Sequence, residues 1–149
     1  MPTFGAVRHT AGAPIKVVVT HSPDRRTLSV ILEGTQCRDR GDGQSRFNAL
    51  SFDLDIAIEG SGDCAIKLDV RGAESHTHDE AFGLARIQVG KRRLTLSGDS
   101  WGDMFGRMEV DTAAASVLRV SCLLLANGGA IPQGECLVEL DSLDLSMSR

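Results

Sequence analysis

The chain has 149 residues, of which 42% are hydrophobic and 24% charged, with a formal net charge of -4. That profile fits one folded domain over 1–149 and excludes a disordered chain. The acidic balance disfavours nucleic acid as a partner, and no apolar run approaches the roughly 18–20 residues of a membrane span.

In chain order the dominant hydrophobic period is two. Residues 1–13 are expected to be flexible. They show no charged n-region followed by a long apolar stretch, so a cytoplasmic location is expected. Residues 15–21 and 27–33 predict two strands around S-P-D-R, where proline suits the second position of a type I turn. Residues 37–46, C-R-D-R-G-D-G-Q-S-R, predict a mobile polar loop. Its R-G-D at 40–42 matches an integrin-binding tripeptide, and the physical reading is a charged, glycine-rich turn.

The clearest strand is L-S-F-D-L-D-I-A-I-E, 50–59. Leu50, Phe52, Leu54, Ile56 and Ile58 point one way, and Ser51, Asp53, Asp55, Ala57 and Glu59 the other. Cys64, Ile66, Leu68 and Val70 continue the pattern over 64–71. Gly60-Ser61-Gly62 would close these two segments as a hairpin, with Ile58 opposite Cys64 and Asp55 opposite Lys67. Residues 85–89 and 93–97 predict a second hairpin around Gly90-Lys91. Residues 97–108 predict a loop, and Thr112–Ala115 a short helical turn after Asp111. Residues 117–126 are largely apolar, as in a central strand. Residues 135–147 predict a long strand whose apolar phase switches from Cys136, Val138 and Leu140 to Leu143, Leu145 and Met147. A slip near Asp141-Ser142 requires a β-bulge or a bend between sheets. About eight strands with short connections predict an all-β, two-sheet antiparallel β-sandwich. A small closed or jelly-roll β-barrel is the alternative, because it uses the same alternation.

Cysteines stand at 37, 64, 122 and 136, without a C-x-x-C pair. Neither a zinc knuckle nor a thioredoxin-type motif is present, and disulfides are not expected. Cys122 and Cys136 lie in apolar strand patterns, as buried thiols do.

The stretch E-S-H-T-H-D-E, 74–80, is the candidate metal site. His76, His78 and Glu80 share a face of an extended chain, and imidazole with carboxylate suits a divalent transition metal. Residues i and i+2 lie about 6.5–7 Å apart and can converge, whereas i to i+4 spans about 13 Å. A bend, or a ligand such as His21 or Asp99 from elsewhere, is needed. The stretch 72–80 resembles the first metal motif of cupins, and I-P-Q-G at 131–134 is similar to part of their second. That resemblance would imply a metal-dependent β-barrel enzyme. No histidine follows His78, so the second motif's histidine is absent. F-D-L-D, 52–55, resembles a tetrapeptide of calcium-binding β-sandwich domains in tellurite-resistance proteins, which implies Asp53 and Asp55 as ligands.

The loop 97–108 supplies the candidate contact site for a ligand or partner: Trp101, Asp99, Asp103 and Phe105. Neither a nucleophile elbow nor a phosphate-binding glycine loop occurs. The reading is a non-enzymatic binding or assembly module without cofactor. It expects a protein partner or self-association, since open sandwiches leave edge strands. The alternatives are the metal-dependent enzyme and a structural component of a larger particle.

Overall fold

The computed structural model describes residues 1–11, 15–41, 47–77, 80–97, 102–129 and 134–148. Within them the chain runs through β1 (Thr3–Ala11), β2 (Lys16–His21), β3 (Thr27–Glu33), β4 (Gln36–Arg40), β5 (Asn48–Glu59) and β6 (Asp63–His76). It continues through β7 (Phe82–Val89), β8 (Arg92–Ser97), β9 (Asp103–Ala113), β10 (Ser116–Asn127) and β11 (Glu135–Met147). Sheet A has the order β1-β5-β10-β7-β8 and sheet B the order β2-β3-β11-β6-β9. Strand β4 follows β3 along the same side of β11. All pairings are antiparallel, so the architecture is the expected two-sheet sandwich.

Alternate residues of both sheets face one shared core, including Leu54, Ile56, Ile66, Leu68, Val120 and Leu143. The β2–β3 turn forms at S-P-D-R, where Arg25 N donates to Ser22 O at 2.9 Å. Gly90-Lys91 joins β7 to β8, with Gly90 at φ 58. Strand β10 is central in sheet A, between β5 and β7.

The predicted phase switch in β11 is a bulge. Leu140 pairs with Gly72 and Ser142 with Arg71, leaving Asp141 as the extra residue. Cys136, Val138 and Leu140 are buried before it, and Leu143, Leu145 and Met147 after it.

The expected 50–71 hairpin is corrected. Strand β5 lies in sheet A and β6 in sheet B, so the chain crosses the sandwich at Gly60-Ser61-Gly62. Both strands keep their predicted inward faces, but these meet across the core and not side by side. Alternation fixes which face is buried and does not say whether the neighbour is lateral or opposite. Asp55 accordingly pairs with Arg119, and Lys67 sits opposite Glu109 and Ser146.

Three strands lie where loops or flexible chain were expected. Within 1–13, Thr3–Ala11 pairs with β5, and a register shift between Phe4 and Val7 breaks its period. Within 37–46, β4 buries Cys37 alone among its hydrophobics; 42–46, including Asp42 of R-G-D, lie outside the described residues. Within 97–108, β9 alternates Met104, Gly106 and Met108 inward. Glycine hides that alternation, and it is needed there: a Cβ on Gly106 would stand 2.7 Å from Leu94 Cδ2. No helical turn occurs at 112–115. β9 ends at Ala113, and Ala114-Ala115 carries the chain to sheet A with Ala115 at φ 60.

Deleting Asp141 should force one half of β11 to turn outward, and circular dichroism should then show no cooperative melting. Asp141→Asn keeps the bulge. Partial desolvation, Glu139 and Asp103 raise the carboxyl of exposed Asp141 above its ordinary pKa. Such an acid favours the fold below its unfolded pKa and loses that contribution as pH rises. At neutral pH the Asn variant should therefore be at least as stable as wild type; a loss above about 1 kcal/mol in denaturant melts contradicts this reading.

Candidate functional site

The alternation of β6 runs unbroken through Cys64, Ile66, Leu68, Val70 and Gly72, which puts Glu74 on the core-facing side. Glu74 is only 5% exposed. Its Oε1 accepts from His76 Nδ1 at 2.7 Å and from the Cys136 thiol at 3.6 Å. A carboxylate on Nδ1 fixes the imidazole's orientation and turns Nε2 away from it. Gly83 makes room for this group: a Cβ there would stand 2.7 Å from Cys136 Sγ and 3.2 Å from Glu74 Cγ.

Of the expected partners of His76, Glu80 is in an exposed turn beyond β6, and His78 and Asp99 lie outside the described residues. His21 pairs with Leu28, whose line across sheet B runs through Leu145 to Leu68. That is eight residues of β6 away from His76, about 26 Å at strand rise. His21 Nε2 instead contacts Gly5 O at 2.8 Å. Among the described residues, no three His, Cys, Asp or Glu side chains are grouped to hold a metal. Sequence reading missed Glu74, although a glutamate in the apolar phase of β6 was the signal for it.

The thiols offer no nucleophile. All four are free and buried. Burial and neighbouring Glu74 push Cys136 up to about 12, and burial does the same to Cys122. Burial also raises Cys37 and Cys64.

Of the expected loop contacts, Asp99 and Trp101 lie outside the described residues. Asp103 and Phe105 are on β9, facing out from sheet B. Phe105 is 54% exposed but flanked by guanidinium groups, Arg71 at 5.2 Å and Arg107 at 5.9 Å from its ring centre. Asp53 and Asp55 do share the outer face of β5; Asp55 is held by Arg119 through two hydrogen bonds of 2.8 and 2.9 Å. That pair keeps the Asp55 carboxyl below its ordinary pKa.

The two outer faces differ. Sheet B carries Lys16–Glu33, Arg38–Glu135 and Asp69–Arg107 ion pairs, with Val18 and Ile31 as an apolar pair near its edge. On sheet A, Leu84, Leu123 and Leu125 point away from the core and are only half-buried. Leu125 lies between Ala49 and Leu84, and Leu123 between Ser51 and Arg86. Phe82 and Phe47, 47% and 45% exposed, extend this patch in an edge-to-face contact at 6.1 Å. Arg86 Nε is buried with no hydrogen-bond partner among the described residues. The signal in the sequence was the run C-L-L-L-A, apolar in both phases, as in a strand covered on both sides.

No protein-family model and no curated protein sequence matches the chain. Among solved structures it is similar to the carbohydrate-binding module TmCBM61 in complex with β-1,4-galactotriose, with TM-score 0.33 and 13% identity over 98% of this chain and 91% of that one. It is similar also to a carbohydrate-binding module of Cellvibrio mixtus lichenase 5A in complex with cellotriose, with TM-score 0.35 and 10% identity over 94% and 91%. A third is CBM35 from Cellvibrio japonicus Abf62, with TM-score 0.34 and 13% identity over 94% and 92%. At these scores the likeness carries no functional argument.

Thiol reagents should leave the folded chain almost unlabelled at pH 8, with less than about a tenth of an equivalent reacting before denaturant exposes all four cysteines. Rapid labelling of one native thiol contradicts the buried, raised-pKa assignment. The sign for stability follows: neutral thiols favour the fold below their unfolded pKa, and that contribution fades as pH rises from about 9 towards 12.

Proposed function

We propose that the chain is a non-enzymatic β-sandwich binding or assembly module whose contact surface is the outer face of sheet A. The observation that carries this is the pair of leucines Leu123 and Leu125 on a central strand, turned away from the core. Beside them stand Leu84, Phe82 and Phe47. An outward apolar patch with a polar surround is the usual mark of a protein contact. Burying it against a partner removes apolar area from water at about 25 cal/mol per Å².

A protein partner suits this face better than a sugar does. Flat, open aromatic faces are the usual sugar platform, because ring faces stack on apolar sugar faces. Here Phe47 and Phe82 meet edge to face.

The test is Leu84→Gln combined with Leu125→Gln, compared with wild type at high dilution. The double variant should bind a hydrophobic fluorescent dye such as anilinonaphthalene sulfonate several-fold less, and keep its stability within about 1 kcal/mol. A loss of about 3 kcal/mol or more would make these leucines part of the folded interior, and unchanged dye binding would remove the patch as a contact surface.

A further inference from the structure

We infer that the occupant of the outer face of sheet A is a second copy of this chain, packed face to face about a twofold axis. The inference rests on the contact-face reading above and adds who the partner is. The axis lies parallel to the strands, midway between β10 and β7.

Three lines of residues cross this face from β5 through β10 and β7 to β8. The first is Ala49, Leu125, Leu84 and Ser97. The second is Ser51, Leu123, Arg86 and Thr95. The third is Asp53, Ser121, Gln88 and Arg93. A twofold axis between β10 and β7 lays β10 of one copy on β7 of the other, and β5 on β8. Leu125 then meets Leu84 twice, and Phe82 meets Asn127. Ser121 meets Gln88. Leu123 meets Arg86, whose aliphatic stem can lie along an apolar neighbour. Asp53 meets Arg93 at both ends of the third line, because the axis generates each contact twice.

Asp53 and Arg93 suit this role. Neither is in an ion pair among the described residues, unlike Asp55 on the neighbouring line. Arg93 is exposed on the edge strand, and Asp53 is half-buried on the next strand but one from Arg93's neighbour. Opposite charges placed equally on either side of a midline are what a twofold contact needs for complementarity; a face of uniform sign would repel its copy. Stacked sheets pack with strands about 30° from parallel, a misalignment that the long Arg93 side chain can absorb.

The experiment is sedimentation equilibrium on the full chain, with Asp53→Arg, Arg93→Asp and the two combined. Wild type should associate to a dimer. Each single reversal should weaken dimerisation by about 10-fold or more, since two contacts change sign at once. The combined variant should recover to within about 3-fold of wild type, because the pair is restored in reverse. At dilutions where all four proteins are single chains, their circular dichroism melts should be alike, as expected for substitutions on an outer face. A wild type that stays a single chain at several hundred micromolar overturns the second copy; the dye test above then decides separately whether the face binds a different protein. A dimer indifferent to both reversals, or unrepaired by the combination, overturns this pairing and places self-association elsewhere, such as at an edge strand.

Discussion

The β-bulge at Asp141 is the constraint around which sheet B is built. Strand β11 is thirteen residues long and pairs with β6 on one side and with β3 and β4 on the other. A strand of that length with a switched apolar phase cannot keep both halves in the core at a regular period of two. One extra residue resets the phase. The same place on the other side of β11 is where β3 hands over to β4. Gly34 takes φ 78 there, and buried Thr35 donates its hydroxyl to Leu140 O. Opposite, a Cβ on Gly72 would stand 2.3 Å from Glu139 O. A tight backbone approach, a positive-φ glycine and a buried hydroxyl thus all gather at one irregularity.

The bulge also explains the buried acid. Strand β6 alternates without interruption, and the bulge lets its inward residues keep meeting inward residues of β11 on both sides of Asp141. Val70 meets Leu143, Gly72 meets Leu140, and Glu74 meets Val138. Carried that far, the inward phase puts a carboxylate at the end of the sandwich, where Cys136 and His76 supply its hydrogen bonds. A buried carboxylate without such partners would destabilise the fold by several kcal/mol. His76 thereby satisfies Glu74.

Much of this was legible in the residues. The alternation of 50–59 and 64–71 identified the inward faces, and the phase switch of 135–147 located the bulge. What alternation lacks is depth. It could not place β5 and β6 in different sheets, since a strand across the core satisfies an apolar face as well as a lateral neighbour does. The missed strands share another cause. Gly106 on β9, the register shift in β1 and the single buried Cys37 of β4 each remove an apolar marker from a regular period. The candidate site was less legible still. Lines such as Asp53, Ser121, Gln88 and Arg93 join residues from three separate stretches of chain, and only pairing brings them together.

Sheet A adds the functional side of the account. Its inner face completes the core, while its outer face keeps leucines that a solvated sheet would replace with polar residues. Chemical cross-linking tests most directly whether that face meets its own copy. The native thiols are buried, so the substitution Ser121→Cys supplies the reactive group. Sheets stack about 10 Å apart and strands lie about 4.8 Å apart, so the two introduced thiols in the pair should be within about 12 Å. A short bismaleimide should then join Ser121→Cys chains into a dimer, and join Lys67→Cys chains, altered on the outer face of sheet B, far less. Equal cross-linking of the two variants, or none of Ser121→Cys at concentrations where the chain is dimeric, would contradict the account.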